Sequence, residues 1–551
     1  MADLKYPTIP SFFAGRTVLV TGGTGFMGKV LLEKMLRSCP EVRRIYVLMR
    51  AKRGKEVGAR LQDLIHSQVF DRIKEERPGA LGKLHAVAGD VSSEDLGITG
   101  VTTFGTGSEV DTETVTAEEM KRRLLDEVSV VFHCAANVRF DLHLKMAINF
   151  NTQGTLQVLR LCRKMNNLEA FVHVSTAYCH CEQAILEEKT YEPPHDPHNL
   201  LPAMQWLPDD AVKLITPSLI GNLPNTYAYS KNISEKLVTE YSKDMPIAIA
   251  RPSIVTAAWE EPIPGWVETL HGPTGLLVGA GKGVIRSMHC KAEYLADIIP
   301  VDIAINALLA IAWKVGNSSV KGSPYVVNVT ESGVNPVRWG DILEYGRKHL
   351  YDNPLENAIW FPDGSIKSNK TMHDICVLLF HYFPAYLLDF LIALCGKKPF
   401  MVRIQNRIQG GLEILQYYTT KEWIFENTKF LSLWKEMTPQ DRKIFPIDMT
   451  AVKWNPYIRG TVLGTRQFCL HEDLSTIPKA RRHLKRLYYL DRAVSGFFYL
   501  LLIWITFCCT DGMITLLSWI MEGGMNLLQA ATPGLRYVNA ESDMESILPP
   551  S

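Results

Sequence analysis

The sequence predicts an α/β protein built on a doubly wound parallel sheet, followed by a smaller, mostly helical domain and a hydrophobic tail. Three observations support this prediction. Continuous apolar segments, typical of buried parallel strands, alternate with helical segments over the first half of the chain. A glycine-rich turn joins the first strand to the first helix, and a long uncharged run lies near the end of the chain.

The alternation can be followed from the first strand onward. The predicted helices include KVLLEKMLRSC (29–39), NTQGTLQVLRLCRK (151–164) and the segment after Pro224. Apolar runs bounded by turn residues predict six strands: RTVLVTG (16–22), RIYVLMR (44–50), LHAVAGDV (84–91), SVVFHCAA (129–136), AFVHVSTAY (170–178) and PIAIARPSIV (246–255). Two stretches, 97–117 and 190–210, are predicted to be insertions or loops.

Composition argues against several classes of function. The 551 residues carry a net charge of +1, so no basic excess indicates nucleic-acid binding. The 11 cysteines are odd in number and contain no CxxC pair, which indicates free thiols in a reducing compartment. Cys179-His180-Cys181 lacks a second ligand pair at a useful spacing, so we predict no metal site.

The second half of the chain changes character. From about residue 345 to 475, longer apolar and amphipathic segments predict a mostly helical domain. Within it, ICVLLFHYFPAYLLDFLIALC (375–395) is interrupted by His381, Pro384 and Asp389. These interruptions favour a core helix or an interfacial surface over a membrane span.

The tail predicts a membrane anchor. Residues 493–510 contain no charge, and this run approaches the roughly 20 residues that cross a bilayer. A second apolar run follows Asp511 and Gly512 and ends at residue 521. The basic segment 479–492 before the run indicates a cytosolic flank. We therefore predict a single anchor or a hairpin within 493–521, with a buried core helix as the alternative.

The glycine-rich turn predicts a dinucleotide site. TGGTGFMG (21–28) follows the first strand and opens the first helix. Gly22, Gly25 and Gly28 allow a tight turn and a close approach to a pyrophosphate, while the helix N-terminus supplies N–H groups and positive potential. A tight turn without a ligand is the alternative, but strand, turn and helix in this order favour nucleotide binding.

The end of the second strand indicates which dinucleotide. An acidic residue there would hold the ribose 2′-hydroxyl of NAD, but this chain has MRAKR (49–53). Cations suit the 2′-phosphate of NADPH, with a solvated basic loop as the alternative. Asp90 could take the adenine amino group, and the small Ala135 and Ala136 would let a cofactor lie close. The predicted cofactor-binding residues are Thr21, Gly22, Gly25, Phe26, Gly28, Arg50, Asp90, Val91, Ala135, Ala136 and Lys231.

The stretch PNTYAYSKNISEK (224–236) contains two tyrosines ahead of Lys231. Positions i and i+4 of a helix share a face, so Tyr227 lies over Lys231 while Tyr229 points away and packs. A nearby ammonium would lower the pKa of the Tyr227 phenol and ease proton transfer. Ser175 and Thr176 end the fifth strand, where ligands bind in such sheets, and are the candidate hydroxyls for a substrate oxygen.

Together TGGTGFMG, VST and YAYSK resemble the extended short-chain dehydrogenases/reductases. Further segments, among them FHCAANVRFD, GPTGLLVGAGKG and YYTTKEWIF, resemble the animal alcohol-forming fatty acyl-CoA reductases over about residues 12–520. The resemblance implies a Rossmann-type NADP-binding reductase domain (12–340), a helical C-terminal domain (345–475) and the anchor or hairpin (493–521).

The resemblance also implies a reaction, the reduction of a long-chain fatty acyl-CoA to a primary alcohol by two NADPH. Tyr227 would protonate the developing oxyanion, and Thr176, or less favourably Ser175, would stabilise it. Lys231 would tune Tyr227 and hold the nicotinamide ribose. Collapse of the hemithioacetal would expel CoA and leave an aldehyde for the second reduction.

Other polar residues are weaker candidates. Asn137 and Asn151 could contact the cofactor or a helix terminus. Lys282 and Arg286, in GAGKGVIR (279–286), could meet the CoA phosphates, with a surface turn as the alternative.

Two other functions are weighed against this one. A membrane-bound 3β-hydroxysteroid dehydrogenase of the same superfamily is disfavoured by Arg50 and by the large second domain. A non-catalytic nucleotide-binding scaffold would not need Thr176, Tyr227 and Lys231. The expected partners are a long-chain fatty acyl-CoA and, through the tail, membrane lipid, without nucleic acid or metal. The catalytic domain is expected to face the cytosol from a peroxisomal or endoplasmic reticulum membrane.

Overall fold

The computed structural model describes residues 6–52, 54–105, 110–318 and 322–531, so Arg53 of the predicted basic stretch lies outside the described residues. The chain divides into two compact units, one ending at Leu484 and the other beginning at Lys485. The strands are β1 Thr17–Thr21, β2 Arg44–Met49, β3 Leu84–Ala88, β4 Val101–Gly105, β5 Val110–Thr114, β6 Val128–His133, β7 Ala170–Val174, β8 Ile185–Leu186, β9 Ile247–Pro252, β10 Ile254–Thr256, β11 Ser287–His289, β12 Ile298–Pro300, β13 Tyr325–Val329, β14 Ser365–Lys367 and β15 Ile424–Phe425.

A nine-stranded sheet forms the centre of the first unit, in the order β13-β9-β7-β6-β1-β2-β3-β4-β5. Neighbouring strands from β13 to β3 are parallel, and β4 and β5 continue the sheet antiparallel. The chain moves outward from β1 to β3 and then returns to the other side of β1 as β6. Such a reversal opens a crevice at the carboxyl ends of the strands, where ligands bind.

Helices cover both faces of this sheet. The α-helices of the described residues are α1 Ile9–Phe13, α2 Phe26–Ser38, α3 Val57–Ile65, α4 Asp71–Glu76, α5 Ala117–Glu127, α6 Leu144–Ala147, α7 Gly154–Cys162, α8 Pro197–Trp206, α9 Asp209–Ile220, α10 Thr226–Tyr241, α11 Pro273–Gly281, α12 Val301–Gly316, α13 Trp339–Asp352, α14 Lys370–Val377, α15 Phe383–Leu394, α16 Met401–Thr419, α17 Thr428–Glu436, α18 Pro439–Ile444, α19 Trp454–Gly464 and α20 Ile477–Ala531. One core cluster contains α2 and α12, and another contains α7 and α10. α12 is apolar on all sides and almost fully buried, as expected of a helix enclosed by other elements.

The predicted α/β fold is confirmed, and each of the six predicted strands is present with slightly different ends. The sequence interpretation missed a further parallel strand, β13, which pairs with β9 at the edge of the sheet. YVVNV has the apolar and β-branched composition of a strand, but it lies far beyond the last predicted helix–strand pair.

Two loop predictions are wrong in part. The stretch 97–117 contains β4 and β5, which pair as an antiparallel ribbon, β4 largely buried and β5 more exposed. Residues 106–109 of that stretch lie outside the described residues. The stretch 190–210 contains α8, which begins with Asp196 as N-cap and Pro197 in the first turn.

Within the described residues, two helical segments are long and apolar enough to cross a membrane, Lys370–Leu394 and Leu474–Cys508. The second includes the start of the predicted anchor, and together they support membrane association. Most side chains of the first segment are exposed, so the alternative of a buried core helix at 375–395 is wrong. The structure interrupts that segment with a π-helical turn at Leu378–Tyr382.

Candidate active site

The glycine-rich turn occupies the residues between the end of β1 and the start of α2. Gly22 has φ +76°, and a Cβ added there would lie 2.7 Å from the backbone nitrogen of Ala135. A Cβ on Gly28 would lie 2.3 Å from the carbonyl oxygen of Gly22, so both positions require glycine. Gly25 is the N-cap of α2 and brings no side chain to its first N–H groups. The cradle can therefore present backbone donors to an anionic group.

The end of β6 closes the crevice on its other side. Thr21 Oγ1 hydrogen-bonds His133 Nδ1 at 2.7 Å and accepts from the Ala135 amide at 3.3 Å. Through these two bonds the Thr21 hydroxyl joins β1 to the end of β6. Because the side chain is also fully buried, the predicted contact of Thr21 with a cofactor would have to come from its backbone. Ala135 and Ala136 follow β6 and are partly buried.

Phe26 and Val91, two apolar residues predicted to contact the cofactor, lie at the same edge. Phe26 opens α2 and stacks on Trp266 with ring centroids 5.2 Å apart. Val91 follows β3 and packs against Gly154, whose Cβ would lie 3.3 Å from Val91 Cγ2. Both are partly buried, and their cofactor contact stays a prediction.

The basic stretch after β2 is joined by an arginine that the sequence interpretation missed. Arg60 of α3 donates to Thr24 Oγ1 at 3.0 Å and to the carbonyl oxygen of Arg50. The pKa of Arg60 is lowered, mainly by burial and to a smaller extent by the charge of Arg50. Two guanidinium groups thus lie together beside the glycine turn, and a bound anion would relieve their repulsion. The available signal was an arginine in the helix directly after the basic loop.

Arg50 also has an acidic neighbour. Its Nη1 lies 3.1 Å from Asp90 Oδ2, and its guanidinium lies 5.3 Å from the centroid of the Phe150 ring. Asp90 Oδ1 accepts from the amide and hydroxyl of Ser92 at 3.0 and 2.8 Å. Burial raises the pKa of Asp90, but the hydrogen bonds from Ser92 and Arg50 outweigh it and hold the pKa below its usual value. Asp90 is therefore a charged acceptor at the end of β3.

α10 carries the two tyrosines and the lysine. Its N-cap Asn225 accepts from the Ala228 amide at 2.9 Å, which places Tyr227 in the first turn. Lys231 is buried, and its Nζ donates to the carbonyl oxygen of Val174 at 2.8 Å. This contact brings α10 to the carboxyl end of β7.

Tyr229 packs, as the helix spacing predicts. It is fully buried in the cluster beneath α10, and its hydroxyl hydrogen-bonds His195 Nδ1 at 3.0 Å. The catalytic assignment of Tyr227 and Lys231 remains a prediction.

The electrostatics of the pair differ from the sequence-based expectation. The pKa of Tyr227 is raised and not lowered: burial is the main cause, and the nearby Cys179 raises the pKa further. Burial also lowers the pKa of Lys231 to about 8. Desolvation penalises both charged forms. The attraction that helix spacing suggested does not contribute, since neither group shifts the pKa of the other. Tyr227 is thus a neutral phenol at pH 7, suited to giving up a proton to a strong base.

The two candidate hydroxyls have different partners. Thr176 is the N-cap of a 3₁₀ turn, and its Oγ1 accepts from the Tyr178 amide at 3.2 Å. That bond fixes the oxygen and leaves the hydroxyl hydrogen to donate elsewhere. Ser175 Oγ instead lies 3.7 Å from Cys179 Sγ. This arrangement supports Thr176 over Ser175, and the roles of both stay predictions.

Aromatic packing through Phe140 links Tyr227 to Tyr418, a residue of the C-terminal region. Phe140 contacts both Tyr227 and Tyr418, with centroids 5.8 Å apart in each case. The Tyr418 hydroxyl accepts from Asn225 Nδ2 at 2.9 Å, and Tyr178 packs edge-on against the Tyr418 ring. The sequence interpretation missed Phe140, Asn225 and Tyr418 as neighbours of the site. The only sequence signal was the aromatic content of YYTTKEWIF.

A buried polar network beneath the site contains Cys179-His180-Cys181, the fragment for which the sequence predicts no metal site. Cys179, His180 and Glu235 offer ligand atoms within 4.8 Å of one another. Glu235, which the sequence could not connect to this fragment, also accepts from Arg251 Nε and Nη2 at 2.9 and 2.6 Å. Burial raises the pKa of Glu235, but Arg251 outweighs it and holds the pKa well below its usual range. The guanidinium already supplies a cation to this carboxylate.

The weaker candidates have structural partners. Asn151 accepts from the Asn137 amide at 2.8 Å and donates to Ser230 Oγ at 2.9 Å, which links the loop after β6 to α10. Lys282 donates to Glu472 Oε1 at 2.7 Å, so its charge is already paired.

Comparison with known proteins identifies the family. An NAD-binding profile described as male sterility protein matches residues 20–112 and 113–308, and a second profile of that description matches 380–472. Fatty acyl-CoA reductase 1 of Xenopus laevis is 38% identical over 480 residues, which cover 87% of this chain and 90% of that protein. The chain belongs to the fatty acyl-CoA reductase family.

Further members agree. Fatty acyl-CoA reductase 1 of Homo sapiens is 37% identical, with 87% and 90% of the two chains covered. Fatty acyl-CoA reductase 2 of Bos taurus is 36% identical, with 87% and 89% covered. As a member of this family the protein is an oxidoreductase, and the match to the NAD-binding profile supports a nicotinamide cofactor.

Solved structures support the fold of this family member. The terminal R domain of the myxalamid PKS-NRPS pathway aligns with a TM-score of 0.51 at 20% identity, covering 84% of this chain and 93% of that one. The R domain of a nonribosomal peptide synthetase from Mycobacterium tuberculosis aligns with a TM-score of 0.51 at 17% identity and the same coverage. Both likenesses concern the fold alone.

Proposed function

We propose that this protein reduces a long-chain fatty acyl-CoA to the primary alcohol, with NADPH as the donor of two successive hydrides and with release of CoA. The observation that supports the proposal most directly is the 2.8 Å contact between Lys231 Nζ and the Val174 carbonyl oxygen. It joins the helix of Tyr227 to the strand end of Ser175 and Thr176, at the edge of the sheet that carries the glycine turn.

The residues present fit NADPH. A side chain at Gly22 or Gly28 would fill the space through which a pyrophosphate must approach the backbone. Arg50 and Arg60 form a positive pair at the end of β2, which suits a 2′-phosphate better than a ribose hydroxyl. When bound, NADPH supplies hydride to the acyl carbon. Lys231 would hold the nicotinamide ribose, and Asp90 the adenine amino group.

Tyr227 is the acid of the first reduction. Its raised pKa keeps the phenol protonated at neutral pH, so it can donate when negative charge develops on the acyl oxygen. Thr176 donates its hydroxyl hydrogen to the same oxygen, because its own oxygen is fixed by the Tyr178 amide. The Lys231 ammonium stabilises the phenolate that remains. The product of this step is a hemithioacetal.

The hemithioacetal then collapses. Its hydroxyl proton returns to the Tyr227 phenolate, the carbon–sulfur bond breaks, and CoA leaves as a thiolate that takes a proton from solvent. The aldehyde receives the second hydride at the same site, and Tyr227 again protonates the oxygen. Solvent restores the phenol through Lys231, so that two hydrides and two protons are consumed for each alcohol formed.

The hydrophobic tail completes the proposal. We place an anchor or hairpin at 493–521, with the basic segment 479–492 and the catalytic domain on the cytosolic side of a peroxisomal or endoplasmic reticulum membrane. The reductase domain at 12–340 and the helical domain at 345–475 are the corresponding functional parts.

A direct assay tests the proposal. The full chain is purified in detergent and incubated with palmitoyl-CoA and either NADPH or NADH, while nicotinamide absorbance and lipid products are followed. We expect hexadecanol, two NADPH consumed for each CoA released, and much slower turnover with NADH. No NADPH consumption with acyl-CoAs of any length would refute the function. Aldehyde as the sole product would refute the second reduction.

A further inference from the structure

An ordinary surface helix turns its apolar residues toward the protein and its polar residues toward solvent. The segment Lys370–Leu394 has the opposite arrangement. Its inward positions recur every four residues, at His373, Val377, His381 and Ala385, and two of them are histidines. Its outward positions are apolar, among them Leu378, Phe380, Phe383, Leu387, Phe390 and Leu391. A helix that faces water does the reverse. The medium that suits this face is therefore apolar.

Specific hydrogen bonds fix this orientation. His381 Nε2 accepts from the backbone amides of Arg286 and Ser287 at 2.9 and 3.2 Å. His373 Nδ1 hydrogen-bonds Ser287 Oγ at 2.8 Å. The polar side of the segment is thus bound to β11, and rotating it toward solvent would leave these buried groups without partners.

The border of the segment carries charge suited to a lipid surface. Lys397 and Lys398 follow α15 and are exposed. Asp389, an acidic residue within the segment, is turned to the N-terminus of α16, where it accepts from the amides of Phe400, Met401 and Val402 at 2.8 to 2.9 Å. Basic residues beside an apolar, aromatic-rich face match the phosphates and acyl region of a bilayer. Because its histidine side is held on β11, the segment lies along the surface and does not span it.

A cavity of about 140 Å³ is lined in part by β11, the strand to which this segment is bound. Its lining is mostly apolar, with Leu277, Ile285, Ile342 and Leu350 among the residues. Ser287 and Met288 of β11 and Ser365 and Ile366 of β14 line it as well, and β11 pairs with β14. The two-stranded sheet that holds the segment therefore also forms a wall of the cavity.

The cavity reaches the carboxyl edge of the main sheet at its other end. Thr256 lines it and lies four residues beyond Pro252, the last residue of β9. β9 pairs with β7, which ends just before Ser175 and Thr176. At this end the Tyr457 hydroxyl hydrogen-bonds Thr256 Oγ1 at 2.7 Å. The cavity thus lies beyond the carboxyl end of β9, on the side of the sheet where β7 leads to Ser175 and Thr176.

We propose that this cavity receives the hydrocarbon tail of the substrate and that the Lys370–Leu394 segment lies in the membrane surface, so that the tail passes from lipid to the reaction site without crossing water. The inference rests on the proposed reduction of an acyl-CoA. Its physical advantage is that each methylene kept out of water saves about 0.8 kcal/mol. The shared wall of β11 and β14 is the structural link between the two features.

Gly346 of α13 provides the test of the cavity. It is buried, and a Cβ added there would lie 3.8 Å from Leu277 Cδ1, an ordinary contact distance. Gly346→Ala should therefore fit, whereas the larger side chain of Gly346→Leu should enter the cavity. In phosphatidylcholine vesicles we expect Gly346→Leu to lower kcat/KM for palmitoyl-CoA at least tenfold relative to hexanoyl-CoA, and Gly346→Ala to leave that ratio unchanged.

The outcomes separate this inference from the proposed function. A wild-type protein that reduces neither substrate would refute the function itself. An active wild type with an equal loss for both chain lengths in Gly346→Leu, or with no loss, would overturn the cavity assignment. If Gly346→Leu does not fold, Leu343→Phe, at another lining position, is measured in the same way.

The membrane contact has its own measurement. Full-length Phe383→Trp and Leu214→Trp, the latter on exposed α9, are bound to vesicles that contain brominated phosphatidylcholine. We expect the added fluorescence of Phe383→Trp, but not that of Leu214→Trp, to be quenched at least twofold. Equal quenching, or no quenching of either, would overturn the lipid contact. Protection of residue 383 that instead depends on protein concentration would assign this face to a second copy of the chain and would also overturn it.

Discussion

α10 and the Lys370–Leu394 segment depart from the usual inside–outside arrangement in opposite directions. α10 buries polar residues that include a lysine, an asparagine, two serines and a glutamate, whereas the segment exposes leucine and phenylalanine. In α10 these polar side chains bond within the chain: Lys231 donates to Val174, Asn232 Nδ2 to Cys179, Ser234 to Ser230, and Glu235 accepts from Arg251. The exception is Asn232 Oδ1, which has no hydrogen-bond partner among the described residues. Apolar residues of the segment such as Leu378 and Phe383 are instead 64% exposed. Buried polar side chains therefore find hydrogen-bond partners within the protein, whereas exposed apolar side chains indicate a contact outside it.

The largest effect is expected where α10 performs chemistry. Tyr227→Phe removes the proton donor, so kcat/KM for the acyl-CoA should fall by about 10²–10⁴-fold. Tyr229→Phe removes only the hydrogen bond to His195, which should cost about 1 kcal/mol of stability and leave kcat/KM within a few-fold. Steady-state kinetics and thermal unfolding of the two variants decide the matter. Equal loss of activity in both would show that helix spacing does not select the catalytic phenol.

The second effect concerns the balance of the buried charges. Glu235 and Arg251 are 2% and 0% exposed, and Glu235→Gln would leave the arginine charge without its carboxylate. We expect a loss of about 3–5 kcal/mol in the free energy of unfolding. Glu240→Gln, one turn further along α10 in a more exposed pair with His198, is the matched control and should cost less than about 1 kcal/mol. Similar losses in chemical denaturation would contradict the distinction between the two sites.

The third effect is a pH dependence set by Lys231. Its pKa is lowered to about 8, and the ammonium form is the one that stabilises the Tyr227 phenolate and returns the proton. The rate should therefore be constant below that value and fall tenfold per pH unit above it. Tyr227 loses its own proton only at higher pH, so it does not set this limb. Lys231→Arg stays charged, so its remaining activity should not decline near pH 8. If the decline is unchanged in this variant, a group other than Lys231 causes it.

The sequence predicted the parts of this site that depend on local geometry. The glycine turn and the choice between Tyr227 and Tyr229 follow from spacing within a single element. The structure confirms that Tyr229 packs, while the catalytic choice of Tyr227 stays a prediction. Tyr418 was missed because it reaches the site from an element distant in sequence. Arg60 and Glu235 lie close in sequence to predicted site residues, but their partners Thr24 and His180 come from other elements that only the fold brings near. The pKa of Tyr227 was expected to fall, but burial, which depends on the packed fold, dominates. The strand β13 was missed for a related reason, since its pairing with β9 spans a long stretch of chain.

The fourth effect is smaller and concerns a polar group that faces the cofactor. Arg60→Ala removes one of two cations beside the glycine turn, and the lost contact to a 2′-phosphate should raise the KM for NADPH by about tenfold, since charged hydrogen bonds contribute roughly 1.5–3 kcal/mol. The KM for NADH should change little, and Arg60→Lys should recover part of the loss. A proportional rise for both cofactors would instead indicate a general disturbance of α3.

The smallest effect on stability is expected for the exposed residues of the Lys370–Leu394 segment, and it tests the contrast with α10. Leu378 is 64% exposed, so Leu378→Gln should change the free energy of unfolding in detergent by no more than about 0.5 kcal/mol. His381→Leu, at an inward position three residues later, removes the acceptor of two backbone amides and should cost about 1–3 kcal/mol. On α10 both kinds of substitution should be costly, because there the polar and the apolar residues both lie inside. If Leu378→Gln proved as destabilising as His381→Leu in detergent, the outward face would be packed within the protein, and the contrast between the two regions would disappear.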